Sequence, residues 1–194
     1  MYKIVTLSGK AGAGKDLLLK KIKEEMPDLN YIINCTTRPP REGEVNGREY
    51  FFLTHDEFAE RLNDGRMVEA TVFRDWCYGT SIEQLKEDVV NVGVYNPEGV
   101  SILASMPDVI VCPFYVHASD KTRLLRQLNR ETDPDVKEII RRFGADESDF
   151  SEENLQDIEF AHILDNDGRL SVWQLTQELA YMIQHIDWPE APQD

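Results

Sequence analysis

The sequence has few cysteines and no long apolar run, and each shortage excludes a class of protein. Its three cysteines, Cys35, Cys77 and Cys112, are widely spaced and odd in number, so they fit neither a disulfide framework nor a metal-ligand pattern. No apolar run approaches the roughly 20 residues that span a bilayer, and no basic segment followed by a long apolar one indicates a secretory signal. We therefore expect a cytoplasmic protein without a membrane partner.

Positive charge is also scarce, since 36 acidic residues against 21 basic ones give a formal net charge of −15. A general nucleic-acid binder needs a basic face, so this composition argues against a nucleic-acid partner. An acidic protein that binds an anionic ligand must gather its cations locally. The basic residues do form an early and a late group: Lys10, Lys15, Arg38, Arg41 and Arg48, then Arg123, Arg126, Arg130, Arg141 and Arg142. The acidic run at 146–159 is typical of a solvated helix face and loop.

Residues 9–16 read Gly-Lys-Ala-Gly-Ala-Gly-Lys-Asp and match the phosphate-binding pattern G-x-x-x-x-G-K-[ST] in all but the last position. A β-branched segment at 3–8 predicts a strand that leads into this loop, and apolar residues at helical spacing predict a helix over 16–26. Glycines let the backbone N–H groups curl inward, and the helix start adds partial positive charge. Lys15 can then reach the terminal phosphates of a nucleotide.

A glycine-rich turn that merely starts a helix is the simpler alternative. The agreement of the pattern with its strand and helix context favours an ATP-binding loop instead. Its predicted members are Gly9, Ala11, Gly12, Ala13, Gly14, Lys15 and Asp16.

Asp16 stands where the pattern has serine or threonine, whose hydroxyl helps to hold Mg²⁺. A carboxylate is a good ligand for Mg²⁺, but without the metal it would repel phosphate, so Lys15 and Mg²⁺ must offset its charge. We predict that Asp16 binds the metal, directly or through water. The alternative role is a favourable charge in the first helical turn, worth about 0.3–1 kcal/mol.

The remaining segments alternate in a way that predicts an α/β fold. Strands are predicted at 31–34, 49–54, 67–76, 89–95, 109–116 and 159–164, and helices at 55–64, 81–88, 119–130, after 133 and at 170–186. Ser81 is a predicted N-cap, and Leu125 is expected to face inward. Segment 35–48 predicts a loop, and 188–194 a loose tail. The order predicts a P-loop NTPase-type parallel sheet flanked by helices, with the phosphate-binding loop at the carboxyl end of its first strand.

Residues 34–50 contain a second motif, Asn-Cys-Thr-Thr-Arg-Pro-Pro-Arg-Glu-Gly-Glu-Val-Asn-Gly-Arg-Glu-Tyr. Arg38 and Arg41 lie in a loop stiffened by prolines, so together they can bind one phosphate bidentately. Glu69 and the triplet Tyr-Gly-Thr at 78–80 follow. Singly, the tyrosines could be core aromatics and the charged residues solvated, but their spacing and co-occurrence favour a site. Together with the phosphate-binding loop, these motifs resemble those of the guanylate kinase family of nucleoside monophosphate kinases.

The resemblance implies a molecule of three parts, in which a core binds ATP, a small strand-rich insert binds the monophosphate, and a helical, arginine-rich lid closes over both. The core then comprises 1–33, 86–125 and 151–187, the insert 34–85 and the lid 126–150. The resemblance also implies ATP-dependent phosphorylation of GMP or dGMP to the diphosphate. ATP and Mg²⁺ are the implied cofactors, and small-molecule nucleotides the implied partners.

Each part also receives site residues from the resemblance. The acceptor phosphate is assigned to Arg38, Arg41, Tyr50 and Tyr78, and the base to Glu69 and Thr80. A carboxylate can accept hydrogen bonds from both N1–H and the amino group of guanine, which adenine cannot supply in that arrangement. Asn166 is assigned to the surroundings of adenine. The implied catalytic residues are Lys15, Arg38, Arg130, Arg141 and Arg142.

Two departures from the family pattern leave the acceptor open. Asn34 replaces a serine near the guanine, and its amide could still bind the base edge through other atoms or favour another base. The family's Asp-x-Asp reads Val94-Tyr95-Asn96 here, so two carboxylates are missing, and Asn96 is kept as an acceptor-binding residue. The alternatives are a kinase for another (deoxy)nucleoside monophosphate or a sugar phosphate, and a non-catalytic guanylate kinase-like binding module.

Overall fold

The computed structural model describes residues 1–41, 43–73, 75–130 and 132–189, so most of the tail predicted at 188–194 lies outside the described residues. Within this part the strands are β1 Tyr2–Ser8, β2 Asn30–Tyr31, β3 Cys35–Thr36, β4 Phe51–Phe52, β5 Met67–Phe73, β6 Trp76–Ser81, β7 Val90–Val94, β8 Val109–His117 and β9 His162–Asp165. The helices are α1 Lys15–Glu25, α2 His55–Asn63, α3 Pro97–Ala104, α4 Asp120–Leu128, α5 Val136–Asp149, α6 Glu152–Leu155 and α7 Val172–Gln184. In these ranges no helix is long and apolar enough to cross a membrane.

The central sheet is parallel throughout and has the strand order β2-β7-β1-β8-β9. Helices α1 and α7 pack on one face, where Leu18 and Leu175 join an apolar cluster. Helix α3 packs on the other face, where Leu103 is fully buried. A sheet that is covered on both faces needs apolar side chains on both, which explains the valine-rich runs of β7 and β8. The predicted parallel α/β sheet is confirmed.

A second sheet, with the order β4-β3-β6-β5, is built from residues of the predicted insert. Strand β6 pairs antiparallel with β3 and β5, and β3 pairs parallel with β4. Helix α2 packs against this sheet through Phe58, which is buried. Its start is fixed by a capping box, in which the Thr54 hydroxyl and the Glu57 carboxylate each accept the other residue's backbone N–H. The strand-rich character expected here is therefore present, and the domain boundaries stay predictions.

The strand predicted at 31–34 is displaced. Strand β2 ends at Tyr31, the first residue of the predicted range, and β3 begins at Cys35, inside the predicted loop 35–48. Between the two strands the chain crosses from the central sheet to the second sheet. Asn34 lies at the crossing, where its Nδ2 donates to the Val94 carbonyl oxygen at 2.9 Å. A side-chain bond of this kind leaves no periodic signal in the sequence.

The segment predicted as one strand at 67–76 is a hairpin, because the chain turns after β5 and β6 follows at once. The interruption between the two strands is short, so the pattern did not reveal it. The helix predicted at 81–88 is only a 3₁₀ turn at Ile82–Gln84. Ser81, the predicted N-cap, donates its hydroxyl to the Glu83 carboxylate at 3.2 Å instead.

Two helices also differ from the prediction. Helix α3 was missed because it is short and largely apolar, and Asn96 caps it by accepting the Gly99 N–H at 2.8 Å. In α4, the expected inward residue Leu125 is 47% exposed, whereas Arg123 is 1% exposed. The buried face of α4 is therefore determined by Arg123 and the groups that it contacts. Apolar periodicity does not indicate a buried face of this kind.

Candidate active site

A cleft of about 610 Å³ opens at the carboxyl ends of β1 and β7, between the phosphate-binding loop, the second sheet and helix α5. Open α/β sheets bind ligands at this edge. The predicted site residues that line it are Gly9, Ala11, Gly12, Gly14, Lys15, Asp16, Asn34, Arg38, Arg41, Tyr50, Glu69, Tyr78, Asn96, Arg130, Arg141 and Arg142. The remaining three, Ala13, Thr80 and Asn166, are buried and support lining residues from behind.

The phosphate-binding loop owes its curled backbone to glycine. Gly12 and Gly14 have φ angles of 81° and 100°, in the positive-φ region that residues other than glycine rarely adopt. A Cβ atom on Gly12 would lie 2.6 Å from the Arg123 carbonyl oxygen. Helix α4 can therefore approach the loop this closely only because the position is a glycine.

Lys15 lies at the start of α1, under the loop, where its Nζ donates to the Gly9 carbonyl oxygen at 2.5 Å. Burial lowers the pKa of Lys15, and the charges of Asp16 and Asp146 oppose that shift. A cation that has lost water in this way gains from any anion that enters the cleft. The geometry places Lys15 where the sequence pattern requires it.

Asn166 and Arg126 brace the loop from behind. The Asn166 Nδ2 donates to the Ala13 carbonyl oxygen at 2.7 Å, and the Arg126 Nη2 donates to the Asn166 carbonyl oxygen at 2.7 Å. The predicted place of Asn166 beside adenine stays a prediction, while its amide is engaged with the loop backbone. Arg126 was noticed only as one member of a cationic group, because a side chain that bonds backbone carbonyls has no motif of its own.

Arg38 and Arg41 face the loop from the second sheet. The Arg38 Nη2 lies 2.9 Å from the Glu44 carboxylate, and its guanidinium lies over the Tyr50 ring at 5.5 Å. Burial lowers the pKa of Arg41, and the neighbouring charges of Arg142, Arg38 and Arg130 lower it further. Arginines from separate segments therefore repel one another across the cleft until an anion separates them. Glu44, which orients Arg38, belongs to the same motif but was not singled out from the sequence.

Glu69 forms the base of the cleft and is only 5% exposed. The Thr80 hydroxyl lies 2.8 Å from the Glu69 carboxylate, 3.1 Å from the Asn34 Oδ1 and 3.1 Å from the Tyr95 hydroxyl. The Thr80 hydroxyl has one proton and can donate it to only one of these groups at a time. The four residues therefore form a single hydrogen-bond network. Tyr95 was not predicted to take part, because an aromatic residue at the end of an apolar strand is most simply a core residue.

The pH dependence of stability should reveal the buried Glu69. Burial raises its pKa to about 7, while the Thr80 hydrogen bond opposes the shift. A carboxyl whose folded-state pKa is raised contributes stability below its unfolded pKa and loses it as pH rises through the folded value. Relative to the parent, a Glu69→Gln variant should therefore gain about 2–3 kcal/mol of unfolding free energy between about pH 5 and about pH 8. Urea unfolding at both values measures this, and a pH-independent difference would contradict it.

Arg141, Arg142 and Asn96 already have partners within the protein. The Glu138 carboxylate accepts from the Nε atoms of Arg141 and Arg142, both at 2.7 Å, and these bonds lower the Glu138 pKa to about 2. The Asn96 Nδ2 lies 3.4 Å from the Thr71 hydroxyl while its Oδ1 caps α3. Both arginines line the cleft with part of their charge already neutralised.

Asp146 is an exception to the prediction that 146–159 is a solvated face, in which Glu147, Glu152, Glu153, Asp157 and Glu159 are exposed. Asp146 is 4% exposed, and its Oδ2 accepts the Ala11 N–H at 2.9 Å and the Arg123 Nη2 at 2.6 Å. Helix α5 packs against the phosphate-binding loop at this point, and the buried guanidinium supplies the counter-charge. The sequence did not reveal this pair because its members lie on different helices.

Asp16 suits a metal that arrives with a nucleotide. Among the described residues no group of three or more His, Cys, Asp or Glu side chains could hold a metal ion by itself. Mg²⁺ usually keeps several waters and binds one or two carboxylates together with substrate phosphates. A single carboxylate beside Lys15, on a loop built for phosphate, fits that requirement.

A family model described as guanylate kinase matches residues 1–185. The guanylate kinase of Rubrobacter xylanophilus is 36% identical over 101 residues, which are 52% of this chain and 49% of that protein. That of Geobacter sulfurreducens is 42% identical over 88 residues, which are 42% of this chain and 40% of that protein. The chain thus spans about half the length of the curated relatives it matches.

Solved structures are similar over almost the whole chain. The crystal structure of guanylate kinase from Anaplasma phagocytophilum aligns with 95% of this chain and 87% of that chain, at a TM-score of 0.65 and 18% identity. An uncharacterized protein from Eubacterium ventriosum aligns with a TM-score of 0.53 and 16% identity. At these identities the likeness shows the fold alone.

Proposed function

The chain belongs to the guanylate kinase family, and from this premise we propose that it transfers the γ-phosphoryl group of ATP to GMP or dGMP. The observation that carries the proposal is the placement of two cationic groups on opposite walls of one cleft. Lys15 and the phosphate-binding loop form one wall, and Arg38 and Arg41 form the other. A chain with a net charge of −15 gathers cations in this way only where anions must meet.

The donor is proposed to lie on the loop. Its phosphates accept from the loop N–H groups and from Lys15, whose lowered pKa reflects a cation that lacks water. Gly12 and Gly14 let the backbone approach the phosphates closely. Asp16 and the nucleotide phosphates would hold Mg²⁺, which when bound neutralises phosphate charge.

The acceptor is proposed to lie on the second sheet. Arg38 and Arg41 bind its phosphate, while Tyr50 and Tyr78, whose ring centroids are 6.0 Å apart, form the wall beside them. Glu69 accepts from the Watson–Crick edge of guanine, supported by Thr80. Because the acceptor phosphate is already an anion at neutral pH, the reaction needs no strong general base. The main difficulty is charge repulsion between donor and acceptor, which the facing cations reduce.

Closure of the lid is proposed to complete the site. Arg130, Arg141 and Arg142 line the same cleft and belong to the predicted lid at 126–150. Their approach would add positive charge around the transferred group and exclude the water that otherwise hydrolyses ATP. The core, insert and lid boundaries enter here as part of the proposal, as does a cytoplasmic setting without nucleic-acid or membrane partners.

Replacing Asp16 with alanine should separate its metal role from a purely structural one. We expect the parent to bind ATP at least about tenfold more tightly with Mg²⁺ than with a chelator, and Asp16→Ala to lose most of this difference, because the carboxylate attracts the metal and repels bare phosphate. Calorimetric titration measures both conditions. Asp28→Ala removes the same charge from an exposed turn and serves as the control. If Asp16→Ala matched the parent in both conditions, the metal role would be wrong.

A coupled assay with Mg-ATP and a panel of monophosphates tests the proposed function. We expect ADP to form with GMP and dGMP at rates at least about a hundredfold above those with AMP, CMP, UMP and dTMP, because Glu69 requires a donor edge on the base. A preference for another monophosphate would contradict the assignment of guanine to Glu69. Absence of turnover with every acceptor would favour the non-catalytic binding module.

A further inference from the structure

The phosphate-binding loop already carries an anion in the free protein. The Asp146 carboxylate of α5 accepts the Ala11 N–H of the loop at 2.9 Å and the Arg123 Nη2 at 2.6 Å through the same oxygen, Oδ2. Both charged residues are almost fully buried, with 4% and 1% of their surfaces exposed. Ala11 and Asp146 line the cleft together with Lys15. A carboxylate oxygen therefore occupies a position on the loop that suits a phosphate oxygen.

Arg123 does not depend on Asp146 for its orientation. Its Nε donates to the Ala11 carbonyl oxygen at 3.0 Å, and its Nη1 donates to the Asp120 carboxylate at 2.8 Å. With these contacts in place, Nη2 would keep pointing at the loop after Asp146 had left. The group is then a preformed donor for an incoming anion.

The surrounding charges connect this pair with the donor site. Asp146 and Arg123 both act on the pKa of Lys15, in opposite directions, so all three charges lie close together. Lys10, the second residue of the loop, bonds Glu147, the residue after Asp146, at 2.6 Å. Helix α5 is therefore held to the loop by two adjacent carboxylates, and one of them uses a loop N–H.

We propose that Arg123 and the Ala11 N–H form an anion site that Asp146 fills in the free protein and that a terminal phosphate of the donor nucleotide takes over. Arg123 is then a further phosphate-binding residue, and the displacement of Asp146 releases α5 from the loop when the donor binds. This inference rests on the proposed function, because it takes a nucleoside triphosphate as the natural ligand. The ligand chemistry itself is simply a phosphate group.

Removing the internal carboxylate should make the site easier to fill. Inorganic tripolyphosphate is the probe, because it has the phosphate chain of ATP without a base. We expect Asp146→Ala to bind it about tenfold more tightly than the parent, since a charge-assisted bond no longer has to be broken first. Asp157→Ala, an exposed change of equal charge outside the cleft lining, should stay within about twofold of the parent. Calorimetric titration at fixed ionic strength measures all three proteins.

A double variant tests whether Arg123 is the group that receives the phosphate. In Asp146→Ala/Arg123→Leu both buried charges are removed together, so neither is left unpaired, and the gain in tripolyphosphate affinity should disappear. If Asp146→Ala folds poorly, Asp146→Asn removes the charge at nearly constant shape and should change affinity in the same direction. Unchanged affinity in the single variant, an equal gain in Asp157→Ala, or a gain that survives Arg123→Leu would each overturn the inference.

This experiment is independent of catalysis, because tripolyphosphate binding needs neither an acceptor nor phosphoryl transfer. A chain that binds tripolyphosphate as expected but phosphorylates no acceptor would contradict the proposed function and leave the anion site standing. If the chain phosphorylates GMP but Asp146→Ala binds tripolyphosphate like the parent, the anion site is contradicted and the proposed function stands. If neither the parent nor Asp146→Ala bound tripolyphosphate, the anion site would be excluded.

Discussion

Lys15→Met is expected to lower kcat for ATP and GMP by at least about 1000-fold, because it removes the cation that we propose to bind the terminal phosphates of the donor. Methionine keeps the length of the side chain but cannot donate to the Gly9 carbonyl oxygen or to phosphate. Among the described residues the bonds lost in the free protein are those from Nζ to the carbonyl oxygens of Gly9, at 2.5 Å, and Lys10, at 3.4 Å. The fold should therefore survive, and the loss should fall on the chemistry.

Steady-state kinetics with saturating acceptor measures this effect, and circular dichroism checks the fold. Lys20→Met is the matched control, since Lys20 lies exposed on the same helix and its loss changes net charge equally. The control should keep kcat within about twofold of the parent. A kcat near the parent value for Lys15→Met would show that the loop does not stabilise the transferred phosphoryl group.

Glu69→Gln is expected to lower kcat/KM for GMP by about 1000-fold or more, while activity with AMP changes little. Guanine offers two donors on its Watson–Crick edge, and an ionised carboxylate accepts both. A glutamine amide offers one acceptor and one donor group, so one N–H of the base would face another N–H. Because Glu69 is only 5% exposed, water cannot compensate for the mismatch.

Glu98→Gln is the control that separates recognition of the base by Glu69 from a general effect of negative charge near the site. Glu98 is exposed, and its charge contributes to the raised pKa of Glu69, so removing it alters the local field without touching the base. We expect kcat/KM for GMP to stay within about threefold of the parent in this variant. If Glu69→Gln lowered activity with every monophosphate equally, its role would lie in folding of the second sheet rather than in the choice of base.

Local patterns were sufficient to predict a glycine-rich loop that joins β1 to α1 and lines the cleft. The conformation of residues 9–16 is determined by groups that are close in sequence, namely the glycines, the lysine and the start of the following helix. The motif at 34–50 likewise identified Arg38 and Arg41, and both residues line the cleft. These features are set by short-range backbone chemistry, which a single sequence displays directly.

Side chains that join distant segments were not visible in the sequence. Arg123 and Asp146 lie 23 positions apart on different helices, and their burial follows from how α4 and α5 pack on the loop. Apolar periodicity therefore favoured Leu125 as the buried residue, and the acidic run favoured a solvated position for Asp146. Asn34 similarly bonds a carbonyl 60 positions away. Contacts of this kind depend on tertiary packing, to which hydrophobic periodicity is insensitive.

The fate of an isotopically labelled γ-phosphate tests the central claim most directly. The chain is incubated with γ-labelled Mg-ATP and GMP, and the labelled products are separated and counted. The account predicts that the label appears in GDP, with no comparable release of inorganic phosphate, because the facing cations align the two nucleotides and the closed cleft excludes water. Label that appears as inorganic phosphate regardless of GMP, or that stays in ATP, would contradict it.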